Sequence, residues 1–126
     1  METDHAREQA QAQLESITGM VEAMNADREW GGMGAHEAIL EDALSVEVRS
    51  GWHAPEAPHH PPLEYCLLLC TGGPAVRIRG DLDSYGTPAS VILEYQDWGT
   101  PWTVYPATGA EDAIMLVYAM QFYFGD

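Results

Sequence analysis

Four groups of residues in this chain have the types and spacings from which chemistry is built. His59 and His60, with His53 upstream, are of the kind that ligates metals, but neighbouring histidines set between prolines point apart and have no carboxylate or thiolate at ligand spacing. Asp81 and Asp83, two residues apart at the end of an alternating segment, have the make-up of an acid/base pair. Carboxylates beside glycine more often shape a turn by accepting from local backbone, and that is the reading taken. Cys66 and Cys70 fall four residues apart on one apolar run. On a strand that is about 13 Å at 3.3 Å per residue, too far for a disulfide or a shared ion, so both are read as small buried residues. Trp98 and Trp102 bracket a Gly-Thr-Pro turn flanked by Tyr95 and Tyr105, an aromatic cluster that either closes the end of a sheet or anchors a partner.

The catalytic signatures are missing. There is no Gly-x-Ser-x-Gly elbow and no dinucleotide glycine fingerprint, and a phosphate loop needs a lysine that the chain does not contain. The expectation is a protein that is not an enzyme, with no catalytic residue, no metal and no cofactor.

Charge is the strongest signal. Five arginines face 20 Asp and Glu in 126 residues, a formal charge of −15, while 46% of the residues are hydrophobic. That apolar share belongs to a folding chain, so the acidity is carried on a folded object. Direct binding to nucleic acid or an anionic membrane is excluded, because both demand a basic footprint. Glu8, Glu15, Glu22 and Glu29 recur at an interval of seven. On a helix such a set drifts only about 20° per step, with about 10.5 Å between neighbours, and makes a continuous stripe. Asp27, Glu37, Glu41 and Asp42 add to the same half of the molecule. These eight residues are the candidate partner-binding surface. Arg49, Arg77 and Arg79 fall on polar strand faces, where Glu47 and Glu94 are available for cross-strand pairing.

The elements that must position these groups follow from periodicity. Ala10, Leu14, Ile17, Val21 and Met24 predict a helix over residues 4–28, capped by Thr3 or Asp4 and ended by Gly31-Gly32. Ala35–Leu44 reads as a short helix with Ile39, Leu40 and Leu44 as its apolar side and Glu37, Glu41 and Asp42 facing away. The period then changes to two. Strands are expected over 45–50, 63–70, 75–80, 89–95 and 102–105, the second of them a central strand covered on both faces, with a proline-rich loop over 51–62. Thr108-Gly-Ala-Glu111 is a capping box opening a final helix, apolar almost all round through Phe124, therefore buried, and capped by Gly125. The fold class is α+β: an antiparallel meander of four to five strands with an acidic amino-terminal helix, a short second helix and a buried carboxyl-terminal helix. Residues 1–44 form the acidic helical region and 45–126 the sheet with its helix, together one compact unit. No apolar stretch approaches the roughly 20 residues of a membrane span, and the polar amino terminus has no signal core, so a cytoplasmic protein is expected.

Leu44–His53, Leu67–Leu82, Leu93–Trp102 and Gln121–Gly125 together resemble a group of small acidic proteins encoded by phages and prophages of Pseudomonas-type bacteria. The chain also resembles type I anti-CRISPR proteins of the DNA-mimicking sort, in which acidic residues fill the basic groove of a Cascade surveillance complex. No signature motif defines that class, and residues 26–43 depart from the pattern, so no site residue is carried over from it. The resemblance implies an inhibitor in the cytoplasm of an infected bacterium, acting as a monomer on a basic nucleic-acid-binding protein, a Cascade subunit. Two alternatives stand beside it. One is an inhibitor of another DNA-binding defence enzyme of restriction type. The other is an interaction module working through the Trp98–Trp102 turn, with acidity serving solubility.

Overall fold

The computed structural model describes residues 5–56 and 61–125. Thr3, Asp4, His59 and His60, which carried sequence expectations, lie outside the described residues. Helix α1 spans His5–Asn25 and buries Ala6, Ala10, Leu14, Ile17, Met20, Val21 and Ala23. At 100° per residue most of these share one side, and Glu8, Glu15 and Glu22 project from nearly the opposite one.

The helix does not run to the glycines. It ends at Asn25, because Asp27 takes the left-handed conformation at φ 56°. Arg28 N–H then donates to Ala23 C=O (2.8 Å) and Asp27 N–H to Met24 C=O (3.1 Å), the paired bonds of a Schellman stop. Gly31 and Gly32, at φ 61° and 86°, instead form the two-residue turn between β1 (Glu29–Trp30) and β2 (Met33–Gly34). Positive φ at both turn positions suits the right-handed twist of a hairpin and favours glycine there. The hairpin folds onto α1, where Trp30 occupies the space a side chain on Gly19 would need: an added β-carbon would lie 2.5 Å from the indole.

Helix α2 (Ala35–Asp42) turns Ala35, Ala38 and Ile39 inward, and of the three expected apolar residues Ile39 is buried while Leu40 and Leu44 are exposed. It packs against α1. Strands β3 (Ser45–Ser50), β4 (Pro62–Cys70), β5 (Ala75–Asp81), β6 (Ile92–Gln96) and β7 (Thr103–Val104) pair in sequence order as one antiparallel meander. The apolar run of β4 does not make it a strand covered on both faces. Tyr65, Leu67 and Leu69 are buried, while Glu64, Cys66, Leu68 and Cys70 alternate with them on a half-open face. The cysteines are therefore half-buried, and burial pushes both thiols up from their ordinary values.

Helix α3 (Gly109–Ala119) begins at the expected capping box: Thr108 Oγ1 accepts from Glu111 N–H (3.1 Å) and Glu111 Oε1 from Thr108 N–H (2.8 Å). It stops at Ala119, well short of Gly125, and only Met115, Tyr118 and Ala119 are fully buried. Much of the expected burial falls instead to Phe122 and Phe124 in the tail beyond it, with the Phe124 ring tilted against Tyr65, centroids 4.9 Å apart. Helix α1 lies on one face of the sheet against β5 and β6, and α2 and α3 pack against it.

A non-glycine residue in the left-handed region costs energy that glycine avoids. Asp27→Gly is expected to stabilise the fold by about 0.5 kcal/mol, read as a higher urea midpoint with an unchanged slope.

Candidate functional site

The structure distributes charge unevenly: the open face of the sheet carries Arg49, Arg77 and Arg79 with Glu47, Glu64 and Glu94, whereas the helical side exposes most of its acids with two arginines, Arg7 and Arg28. On the open face of the sheet, Arg77 Nε and Arg79 Nε both donate to Glu94 Oε1, at 2.8 and 2.9 Å. Glu94 is 4% exposed, the one buried charged residue among those described. Burial pushes its carboxyl up, but the hydrogen bonds and charges of Arg79 and Arg77 outweigh that and hold it below the usual carboxylate range. The Arg77 guanidinium also lies over the Trp102 ring, 4.0 Å from its centroid. Arg49 pairs with Glu64 through two guanidinium nitrogens at 2.8 to 3.1 Å, and of the two acids expected to pair across strands Glu94 does so while Glu47 has no ion pair among the described residues. The register explains the choice, since Arg49 stands directly opposite Glu64. Hydrogen bonding to Arg49 lowers the Glu64 carboxyl from its ordinary value. Three of the chain's five cations are thereby consumed on this face.

The helical face is different. Glu8, Glu15 and Glu22 stand exposed along α1, Asp27 and Glu29 on the hairpin approach, and Glu37 and Glu41 on α2. Among the described residues the ion pairs are His5–Glu8 (3.9 Å), Arg49–Glu64, Arg77–Glu94 and Arg79–Glu94. None involves Glu15, Glu22, Asp27, Glu29, Glu37 or Glu41. Glu29 sits on β1 rather than on the helix, so the sevenfold stripe holds three members on α1 and is continued by the hairpin.

Asp42 leaves the candidate surface. It is half-buried, and its carboxylate accepts from the Tyr118 hydroxyl at 2.6 Å, tying the end of α2 to α3. Burial, then this bond, raises the Tyr118 hydroxyl far above the usual phenol value. Asp42 is a packing residue here.

Packing adds two acids that the sequence pattern did not bring into the set. Glu111, at the start of α3, lines a shallow groove of about 270 Å³ with Glu15, Glu22, Thr18 and Tyr105. Asp97, in the turn after β6, lines another of about 410 Å³ with His5, Glu8 and the Gly73-Pro74 turn. The sequence marked Glu111 for its capping role alone and gave Asp97 no part in the surface, because the groove partners lie far away in the chain.

The aromatic turn does not act as one cluster. Trp98 is 81% exposed and lies against Gly73, Trp102 stacks on Arg77, and Tyr95 and Tyr105 pack toward the core. Asp83 behaves as a turn-former, its Oδ1 accepting from Tyr85 N–H (2.8 Å) and Thr87 N–H (3.0 Å). Among the described residues no three His, Cys, Asp or Glu side chains gather as a metal site, and no helix is long and apolar enough to cross a membrane. Comparison of the chain with protein-family models, curated proteins and solved structures gives no match.

Because Glu94 is held below its unfolded value of about 4.3, it contributes stability that is complete above that pH. The contribution disappears as the pH falls through the lower folded value. Glu94→Gln is expected to cost about 2 kcal/mol near neutrality and to flatten the acid limb of a stability-against-pH curve.

Proposed function

We propose that this chain is a phage-encoded anti-CRISPR inhibitor that mimics double-stranded DNA. Its helical carboxylates occupy the basic groove of a type I Cascade complex and block target DNA binding. The observation that carries the reading is the distribution of charge: Glu8, Glu15, Glu22, Asp27, Glu29, Glu37 and Glu41 stand exposed on the helical layer and its hairpin against two arginines, Arg7 and Arg28, while Arg49, Arg77 and Arg79 are tied up on the opposite sheet face. A basic groove built for a duplex meets charges displayed on a rigid body and attracts them over distance. From Glu8 to Glu22 the α1 stripe runs about 21 Å, at 1.5 Å per residue, the length of about six base pairs. The stripe alone is sparser than a phosphate backbone, and the acids of α2, the hairpin and Glu111 raise its density.

An inhibitor of a restriction-type enzyme would present the same surface to the same kind of groove. A distinct reading is favoured by one feature, the exposed Trp98 indole: an interaction module that anchors through this turn.

Glu15→Lys with Glu22→Lys is expected to weaken inhibition of Cascade DNA binding more than tenfold, with circular dichroism and melting essentially unchanged. Trp98→Ala is expected to alter inhibition little. Full inhibition by the folded double variant would overturn the mimicry, and loss of inhibition on Trp98→Ala alone would transfer the binding role to the turn.

A further inference from the structure

The five-stranded sheet has two edges, and they are built differently. β7 is two residues long and set between Pro101 and Pro106, which lack the donor that a neighbouring strand needs. β3 is six residues long, with neither proline nor lysine from Leu44 to Gly51, and among the described residues it pairs on one side only. Such an edge carries outward N–H and C=O groups and is a template for another strand unless it is protected.

Its side chains point the same way. Val46 and Val48 pair with Leu67 and Tyr65 on the helix-side face, yet they are 42% and 47% exposed, because α1 sits over β5 and β6. Glu47 and Arg49 alternate with them on the open face, opposite Cys66 and Glu64. Glu47 has no ion pair among the described residues, whereas Arg49 is already fixed by its two-nitrogen grip on Glu64.

We propose that the chain forms a two-fold dimer in which β3 pairs antiparallel with β3 of a second copy, centred on Val48, joining two five-stranded sheets into one. The occupant follows from charge complementarity, because this centre places Glu47 opposite the other copy's Arg49, twice, with Val48 on Val48 and Val46 opposite Ser50. Directly opposed residues of antiparallel strands share a face, so the apolar pairs fall on the helix side and the ionic pairs on the open side. Each Arg49 then stands between its own Glu64 and the incoming Glu47. Of the other two-fold registers, centring on Glu47 opposes two carboxylates, centring on Arg49 opposes two guanidiniums, centring on Val46 leaves both Glu47 and Arg49 without an ionic partner, and a half-step opposes residues that lie on different faces. Pairing β3 with β7 would be head-to-tail and open-ended, and the prolines beside β7 obstruct it, so the contact closes at two copies. The acids of α1 stand on a helix that lies over β5 and β6, and exposed charges beyond a Debye length of about 8 Å are largely screened at physiological salt. This departs from the monomer that the resemblance implies, and it is independent of the proposed target.

Sedimentation equilibrium on the intact chain tests it with two variants, Glu47→Arg and Arg49→Glu. Wild type is expected to be a dimer. Each variant alone sets like charges opposite each other twice, and its dissociation constant is expected to rise at least tenfold. A 1:1 mixture restores both ionic pairs and is expected to recover the dimer as a heterodimer, resolved by native mass spectrometry. That recovery separates a failed interface from a failed fold. A monomeric wild type, a variant that self-associates as well as wild type, or a mixture that stays monomeric would overturn the proposal.

Discussion

One buried carboxylate organises the charge of this molecule. Glu94 Oε1 accepts from both Arg77 and Arg79, so two of five cations are committed to a single oxygen in the middle of the sheet. Charged hydrogen bonds to a group this deeply buried are worth more than surface pairs, and removing either side leaves the other unsatisfied. Trp102 covers Arg77 and fixes its plane, so the arrangement is directional as well as charged. With Arg49 held by Glu64 at the neighbouring strands, the open sheet face becomes close to neutral. Much of the chain's excess of negative charge is left to the helical layer, where Arg7 and Arg28 are outnumbered by exposed acids.

That excess has a structural cost, since like charges on a compact body repel. The helical layer withstands it through dense local anchoring. Alanines at 6, 10 and 23 of α1 are almost wholly buried, which places the helix close against its neighbours. A Schellman stop at Asp27 and a capping box at Thr108 satisfy helix-end groups without any lysine. The Tyr118 hydroxyl bonds Asp42 across the layer, and the indole of Trp30 rests on Gly19. The acids therefore stand on a framework whose stability does not depend on pairing them.

Much of the framework was legible because it follows from short-range pattern. The change from a 3.6 to a 2.0 period at Ser45, the meander order and the Thr108–Glu111 box appear in the structure as the residues implied. What failed depended on partners distant in sequence. Nothing local shows that Asp27 would take a left-handed conformation, which moved the helix end and released Gly31-Gly32 to form a hairpin. An apolar run such as Leu67–Leu69 fits burial on both faces equally well, and the one-sided cover of β4 is set by where the helices dock. Apolar residues of α3 need not be buried when the tail beyond it, through Phe122 and Phe124, supplies the cover. At the site, the exposure of Glu8, Glu15 and Glu22 followed from helical geometry alone. The withdrawal of Asp42 into a bond with Tyr118, 76 positions away in sequence, did not.

The central claim is that the helical acids stand in for a duplex on a protein that grips DNA. The most direct measurement is a competition titration, with target duplex and this chain offered together to a type I Cascade complex across a series of salt concentrations. The account predicts mutual exclusion, and an affinity of the chain that falls steeply as salt rises. A ternary complex holding both duplex and chain, or an affinity indifferent to salt, would contradict it.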